Sequence, residues 1–196
     1  MSIDWEYPER GTGLSRIADE LIGPGATRAE IILVFVIAIL GGIALLAYQY
    51  FAALGWTLIQ IVIGAIIAFD IAGGVVASST STAKRWYHRK EQGSKQHLGF
   101  IAFHFIHPLL ITVFFLAMDW SYFAIVYGYL VIASVIVIVA PLYLKRPVSV
   151  TVFSIAVLLS LYVVTPVPGF EWFIPMFFLK LVIGHLVREE PYQPTE

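Results

Sequence analysis

The sequence contains no cysteine, which excludes disulfide bonds, thiolate metal ligands and cysteine nucleophiles. Charge is also scarce, because Asp, Glu, Lys and Arg together make up 13% of the 196 residues whereas 59% are hydrophobic. An ordinary soluble domain carries about 25% charged residues, so this composition indicates a membrane protein. The polar first thirty residues lack the short apolar segment of a cleaved signal peptide. We therefore expect the first membrane span to direct insertion.

Six apolar runs are long enough to cross a bilayer, whose hydrocarbon core requires about 20 residues of helix, with a range of about 17–25. The first two runs are separated by a short connection at Gly55, which predicts a helical hairpin. Thr27 and Glu30 have the spacing of a capping box at the start of the first run, and Pro147 suits the first turn of the fifth. The runs are 31–54, 56–77, 98–118, 122–143, 148–164 and 170–187.

Positive charges fall on only one side of these runs. Lys and Arg occur before the first run, between the second and third, between the fourth and fifth, and after the sixth, whereas the other connections contain none. Cytoplasmic loops are enriched in these residues, so both termini are predicted to be cytoplasmic, in the plasma membrane of a bacterium or an archaeon. The predicted fold is an all-α integral membrane protein with six transmembrane helices in 31–187, a cytoplasmic segment 1–30 and a cytoplasmic tail 188–196.

The N-terminal segment contains apolar and polar residues at helical spacing. One face of a helix would carry the apolar residues and the opposite face the polar ones. This pattern predicts a short amphipathic helix on the cytoplasmic membrane surface, with packing against the protein's own loops as the alternative. The apolar residues are Leu14, Ile17, Ala18, Leu21 and Ile22, and the polar ones are Ser15, Arg16, Asp19 and Glu20.

The most informative residues are ionisable groups inside the apolar runs. A charge at the centre of a span costs about 2.5–3.5 kcal/mol on insertion scales, so it usually faces a partner or water. Asp70 lies in the second run, His104 and His107 in the third, and Lys180 in the sixth. At about 1.5 Å per residue, Asp70, His104 and Lys180 lie about 10–12 Å from the cytoplasmic ends of their helices. The sequence thus predicts a buried polar site in the cytoplasmic half of the protein.

Two local patterns indicate how such a site forms. Gly73 and Gly74 would allow another helix to approach closely beside Asp70. Pro108 has no N–H to donate to the carbonyl of His104, so we expect a kink that frees this oxygen next to the histidines.

The sixth run leaves a choice of partner for Asp70. Lys180 and His185 are five residues apart, about 140° around an α-helix, which predicts that they face different partners. Lys180 facing inward would give Asp70 a counter-ion. His185 facing inward would instead complete a group of three imidazoles and one carboxylate.

Three functions are compatible with these residues. Proton-coupled transport of a small solute, or a channel for it, would use Asp70, His104, His107 and Lys180 as the polar pathway. A membrane-embedded zinc hydrolase acting on a lipid-like substrate would use Asp70, His104, His107 and His185 as metal ligands. A structural or assembly protein would need only a buried Asp70–Lys180 ion pair. Haem ligation is not predicted, because His185 is too shallow to pair with His104.

The connection between the second and third runs is rich in hydroxyls and positive charges. This composition is typical of a topology determinant, and binding of the phosphate of anionic lipids is the alternative. The bilayer is therefore the predicted partner, and nucleic-acid binding is not expected because the segment lies against the membrane. The residues of the predicted phosphate contact are Ser78, Ser81, Lys84, Arg85 and Arg89.

Overall fold

The computed structural model describes residues 11–189, and over this range the chain forms helices and no strands. Five helical segments are long and apolar enough to cross a membrane, and a shorter apolar helix follows them. This architecture is consistent with a helical membrane protein. The long segments are Arg28–Phe51, Leu58–Ala77, Ser94–Phe115, Trp120–Val139 and Leu142–Tyr162, and the shorter one is Phe173–His185.

Several α-helices follow one another in the described range. They are α1 (Leu14–Ile22), α2 (Arg28–Phe51), α3 (Leu58–Ala77), α4 (Ser81–Tyr87), α5 (Ser94–Phe103), α6 (Ile106–Phe115), α7 (Trp120–Val139), α8 (Lys145–Tyr162) and α9 (Phe173–Phe178). A 3-10 turn, Leu142–Leu144, precedes α8, and α9 continues into a π-helix, Leu179–His185. Helix α1 coincides with the predicted amphipathic helix, and α4 lies in the predicted loop between the second and third spans.

Local sequence signals explain where several helices begin. The Thr27 hydroxyl accepts a hydrogen bond from the Glu30 N–H at 3.2 Å, and the Glu30 carboxylate accepts one from the Thr27 N–H at 2.8 Å. The predicted capping box is thus confirmed. Thr57 and Gln60 form the same reciprocal pair at α3, and Pro147 lies in the first turn of α8 as expected. The capping pairs satisfy N–H groups that a helix leaves unpaired at its start.

One end of the bundle gathers the positively charged connections. Helix α4 packs against α1, and the Lys84 ammonium donates to the carbonyl of Val187 at 2.9 Å. Arg146, in the first turn of α8, lies 2.6 Å from the carboxylate of Glu189. We call this the basic end. Its contacts agree with the distribution of charge along the sequence, and its orientation toward the cytoplasm stays a prediction.

The opposite end is closed by aromatic side chains and is called the aromatic end. Trp56 stacks on Phe170 with ring centroids 5.6 Å apart. Phe115 contacts both rings edge-on, at 4.9 and 4.7 Å. Helix α9 and the π-helix therefore start near the aromatic end and finish at the basic end.

The sixth helical pass is shorter than the predicted run 170–187. Helix α9 has 6 residues and the π-helix has 7. At about 1.5 Å per residue they extend for about 20 Å, less than the hydrocarbon core of about 30 Å. The preceding residues form turns in which Val164, Val167 and Phe170 are buried. Irregular backbone is tolerated at membrane depth where protein covers it, so the count of six spans stays a prediction.

This short last helix lies at the centre of the core. Phe173, Phe177 and Leu181 are fully buried. Helix α9 packs against α3 and α8, and the π-helix packs against α3, α7 and α8. The outer faces of α2, α7 and α8 instead carry many exposed Leu, Ile and Val side chains. A continuous apolar surface of this kind is compatible with contact to lipid.

Helices α2 and α3 pack along a seam of small residues. A Cβ added at Gly41 would lie 2.6 Å from the Cβ of Ala72, and one added at Gly73 would lie 2.8 Å from the Cβ of Ala38. Larger residues at these positions would therefore separate the helices. The close packing confirms the predicted hairpin and leaves α2 at the edge of the bundle.

Candidate functional site

The structure brings Asp70 and Lys180 together. Lys180 Nζ lies 2.6 Å from Asp70 Oδ2, and His107 Nε2 donates to the same oxygen at 2.9 Å. The Lys180 side chain is 7% exposed, whereas that of Asp70 is 43% exposed. The pair thus lies at the border between the core and a cavity, with the carboxylate on the accessible side.

Gly74 makes the approach of Lys180 possible. A Cβ at position 74 would lie 2.7 Å from both Cδ and Nζ of Lys180. Ser78, one turn further along α3, also contacts the π-helix closely. A Cβ at Gly184 would lie 3.0 Å from the Cβ of Ser78, and the Ser78 hydroxyl donates to the Lys180 carbonyl at 3.3 Å. The prediction that the glycine pair admits a neighbouring helix is confirmed.

A break in the third span positions the two histidines. Helices α5 and α6 are interrupted at residues 104–105. Because Pro108 has no N–H, the carbonyl of His104 is free to accept from the backbone N–H and from the ring Nδ1 of His107, each at 3.3 Å. The expected kink is confirmed, and the freed oxygen orients the His107 ring toward Asp70.

His104 contributes an imidazole with one free nitrogen. Its ring stacks on His107, with 14° between the ring planes. Its Nδ1 donates to the carbonyl of Phe100 at 2.7 Å, so in the neutral ring Nε2 carries a lone pair. No other residue in the described part of the chain bonds this Nε2.

Lys180 and His185 contact different partners, as predicted, but the expected separation of about 140° is wrong, because the last segment is a π-helix. In a π-helix the hydrogen bonds join residues five apart, so such residues lie on the same side rather than about 140° apart. Both side chains line the same cavity. Phe100 stacks on the His185 ring with centroids 4.0 Å apart, and so separates it from His104.

His185 belongs to a second group of imidazoles nearer the basic end. Its Nε2 lies 3.1 Å from His97 Nδ1, and its carbonyl lies 3.0 Å from His88 Nε2. Burial, reinforced by the nearby His97, lowers the pKa of His88 to about 3. His97 lies in α5, before the break in the third span, and so belongs to this second group.

The predicted zinc ligands therefore do not converge. Asp70 contacts His107 and Lys180, His104 stacks on His107, and His185 lies in the second group. The Lys180 ammonium takes the place beside Asp70 that a metal ion would need. Across residues 11–189, no group of three or more His, Asp or Glu side chains is arranged to hold a metal ion. The geometry gives the zinc hypothesis no support.

The polar groups line one end of a cavity of about 260 Å³ whose other walls are mostly apolar. Its wall residues include Phe35, which is 39% exposed, Phe69, which is 41% exposed, and Phe103, which is 68% exposed. The cavity therefore opens at the outer apolar surface of the bundle, between α2, α3 and α5. Its polar lining residues are Asp70, Ser78, Tyr87, His104, His107, Lys180 and His185.

A smaller cavity of about 130 Å³ lies nearer the basic end. Tyr87, Phe100 and His185 line both cavities and so separate them. The Tyr87 ring lies 5.8 Å from that of Phe100 and 5.2 Å from that of His185. The sequence did not identify Tyr87 or Phe100, because an aromatic residue among apolar residues has no pattern that distinguishes a cavity wall from the core. The only available signal was that Phe100 lies one helical turn before His104.

The residues predicted to bind lipid phosphate make contacts within the protein. Lys84 donates to carbonyls at the end of the π-helix, and burial lowers its pKa to about 8. Arg85 donates to a carbonyl that precedes α2, and Arg89 lies 3.5 Å above an indole ring. Ser78 contacts the π-helix, and Ser81 begins α4. Phosphate binding by these residues stays a prediction.

Acidification is expected to destabilise the basic end through His88. The pKa of this imidazole is about 3 in the folded protein and 6.5 in a model peptide. Between these values the unfolded chain binds a proton that the folded protein does not, so the free energy of unfolding falls as pH drops below about 6.5. Among the described residues, the neighbouring groups that act on this imidazole carry or can acquire positive charge. They are Lys84, His97, His185 and Arg188.

We expect the thermal unfolding temperature of the purified protein to fall between about pH 7 and about pH 5. His88→Gln keeps a hydrogen-bond donor but removes the titrating group, so it should make this pH dependence shallower. Lys90→Gln, at an exposed position beyond α4, is the control and should leave it unchanged. The same pH dependence in His88→Gln and in the wild type would contradict this account.

No protein-family model matches this chain, and no curated protein or solved structure matches it either. No activity can therefore be transferred from a relative.

Proposed function

We propose that this protein binds an amphiphilic small molecule in the 260 Å³ cavity, with the polar end of the ligand beside Asp70 and its apolar chain between α2 and α5. The observation that carries this proposal is the cavity itself, which is polar at one end, apolar along its walls and open at the outer surface. Ligand sites typically combine apolar walls with a few convergent polar groups. Because the opening lies among exposed Phe side chains, the ligand reaches it from lipid rather than from water.

The cavity is proposed to serve the cytoplasmic leaflet. The basic end carries the Lys- and Arg-rich connections, which favour the cytoplasmic side. Asp70 lies eight residues before Ser78, the residue that ends α3, and so about 12 Å from that end of the helix. A single-chain amphiphile can place its headgroup at this depth while its chain remains among apolar side chains.

The shape of the cavity favours ligand binding from one side of the bundle rather than conduction through an open channel. Toward the aromatic end, the layer next to Asp70 and His107 contains Ile67, Ile111 and Phe173, all fully buried. Over the described residues, the polar lining of the cavity stops at this layer. The transport hypothesis is therefore narrowed to a carrier that must rearrange to release its ligand on the other side.

His107 links the carboxylate to the break in the third span. Its Nδ1 faces the carbonyl of His104 and its Nε2 faces the carboxylate of Asp70. A ligand that changes the contacts of Asp70 would therefore act on the junction between α5 and α6, where such a carrier could rearrange.

A purely structural role would require the ion pair and no ligand. The ion pair alone does not account for the cavity beside it, or for the 43% exposure of the Asp70 side chain. We therefore favour ligand binding, and the two roles predict different results when amphiphiles are added.

Saturable binding of radiolabelled dodecyl amphiphiles to the protein in nanodiscs tests this proposal, with empty nanodiscs as the baseline. Phe69→Ala removes part of the cavity wall and is expected to weaken binding about tenfold, because burial of a large apolar side chain contributes about 1.5 kcal/mol or more. Phe51→Ala is the matched control, since Phe51 is 82% exposed at the end of α2 and lies outside the cavity. No saturable binding by the wild type, or an equal loss in both variants, would overturn the proposal.

A further inference from the structure

We infer that the ligand of this cavity carries an ammonium group with N–H donors, attached to an apolar chain. This inference rests on the proposed function and specifies its ligand. Asp70 Oδ1 and His104 Nε2 lack a partner in the described residues, and both belong to residues that line the cavity. Both are hydrogen-bond acceptors, so the group that pairs with them must donate.

Asp70 uses only one of its two oxygens within the described protein. Lys180 Nζ and His107 Nε2 both bond Oδ2, at 2.6 and 2.9 Å. No described residue bonds Oδ1, and the side chain is partly exposed where it lines the cavity. An ionised carboxylate offers about four acceptor positions. Asp70 can therefore accept from a further donor while it remains bound to Lys180.

His104 also favours a ligand that donates, because its other nitrogen is already bonded within the protein. Its Nδ1 lies 2.7 Å from the carbonyl of Phe100, an oxygen that only accepts, so Nδ1 carries the hydrogen. The lone pair is then on Nε2, in a ring that lines the cavity. His104 therefore accepts a hydrogen bond from a ligand without any change of its own contacts.

Three donors that line the cavity, those of Lys180, Ser78 and Tyr87, are already used by the protein. The Lys180 ammonium is buried and turned toward Asp70. The Ser78 hydroxyl is within hydrogen-bond reach of two backbone carbonyls, at 3.2 and 3.3 Å, and the Tyr87 hydroxyl donates to the carbonyl of Glu20 at 2.5 Å. Beside Asp70 the donors of Lys180 and His107 are bonded to Oδ2, so a headgroup that only accepts, such as a carboxylate, would be repelled by Asp70 without gaining their hydrogen bonds.

The walls of the cavity add to the preference for a cation. The rings of Phe69, Phe100 and Phe103 line it beside the polar end. A cation within about 6 Å of an aromatic ring is attracted to the ring face. Hydrogen bonds between an ionised donor and a carboxylate are also about twice as strong as neutral ones. Together these terms favour an alkylammonium over an alcohol, and an alcohol over a carboxylate.

Four compounds with the same dodecyl chain test this inference in nanodiscs near neutral pH: dodecylamine, dodecanol, dodecyltrimethylammonium and dodecanoate. Dodecyltrimethylammonium is charged but has no N–H donor, so it separates charge from hydrogen bonding. We expect dodecylamine to bind at least about tenfold more tightly than dodecanoate and dodecyltrimethylammonium. If either of these binds as tightly as dodecylamine, the ammonium inference is overturned and the amphiphile site remains. If none of the four binds saturably, the proposed function fails as well.

His104→Phe tests the role of the imidazole, because it removes Nε2 and keeps an aromatic ring. We expect this variant to lose most of the preference for dodecylamine over dodecanol. His88→Phe is the control, since His88 does not line the cavity, and it should keep the preference. An unchanged preference in His104→Phe would overturn the assignment of His104 as an acceptor.

An ammonium group can belong to a free alkylamine or to the headgroup of phosphatidylethanolamine. Nanodiscs made of phosphatidylethanolamine or of phosphatidylcholine distinguish the two sources, because both lipids are zwitterionic and only the first has N–H donors. Weaker dodecylamine binding in phosphatidylethanolamine discs would identify the lipid headgroup as the competing ligand. Equal binding in both discs would identify a single-chain amine. Either result supports the ammonium inference and names its source.

Discussion

Asp70→Asn is expected to destabilise the protein much more than Lys180→Met. Lys180 is 7% exposed, so removal of the carboxylate leaves an uncompensated cation in the core, which typically costs about 3–5 kcal/mol. Asp70 is 43% exposed and keeps its bond from His107 when Lys180 is replaced. The loss in Lys180→Met should therefore be closer to about 1 kcal/mol. Unfolding by denaturant in a mild detergent measures both differences.

The double variant Asp70→Asn, Lys180→Met provides the control for this comparison. It removes both charges, and uncharged replacements of a buried ion pair are often neutral or stabilising. We expect its free energy of unfolding to return to within about 1 kcal/mol of the wild type. A loss in Lys180→Met as large as that in Asp70→Asn would show that the buried cation is not the source of the cost.

The same double variant separates the structural role of the ion pair from ligand binding. It is expected to fold, yet it lacks the ionised carboxylate that the proposed ligand requires. Loss of dodecylamine binding in a folded double variant would therefore assign the carboxylate to the ligand. Undiminished binding would instead leave the charges of Asp70 and Lys180 with a structural role only.

Gly74→Ala is expected to be the second most damaging change. The added Cβ would lie 2.7 Å from Cδ and Nζ of Lys180, closer than side-chain atoms normally approach. Either Lys180 withdraws from Asp70 or the π-helix moves away from α3. Overpacking of a well-packed core typically costs about 1–3 kcal/mol in the free energy of unfolding. We expect a loss near the upper limit, because the added Cβ would also disturb the Asp70–Lys180 ion pair.

Two further variants check the cause of this effect. Gly128→Ala, in α7, is the matched control because nothing lies within 4 Å of the added Cβ. It should stabilise the protein by up to about 1 kcal/mol, since Ala is the better helix former. Lys180→Ala should relieve most of the clash, so the two losses should not add when Gly74→Ala and Lys180→Ala are combined. Equal stability of Gly74→Ala and Gly128→Ala would refute the steric explanation.

Several features of the site could be predicted because they depend on residues close together in the chain. The capping box at Thr27, the break caused by Pro108 and the need for a small residue at Gly74 each follow from the chemistry of one or two residues. The match in depth between Asp70 and Lys180 also follows from counting along two helices. These predictions are confirmed by the hydrogen bonds and close contacts of the structure.

The relation of Lys180 to His185 could not be predicted in the same way. Their angular separation was calculated for an α-helix, but the segment Leu179–His185 is a π-helix. No single residue type marks a π-helix. Within this segment Gly184 packs against Ser78 and Lys180 reaches Asp70, and both partners lie about 100 residues away in sequence. The hydrogen-bonding pattern of this helix thus depends on its neighbours.

By itself, the sequence determined the helical character of the chain, its apolar segments and the side of the bundle on which positive charge collects. These properties depend on the transfer of continuous apolar runs from water and on hydrogen bonds within each helix, both of which are local. Only the tertiary structure decided that the shortest helix lies at the centre, that Lys180 rather than His185 binds Asp70, and that a cavity opens beside them. Those outcomes depend on which helix faces meet, and that is set by the packing of side chains distant in sequence.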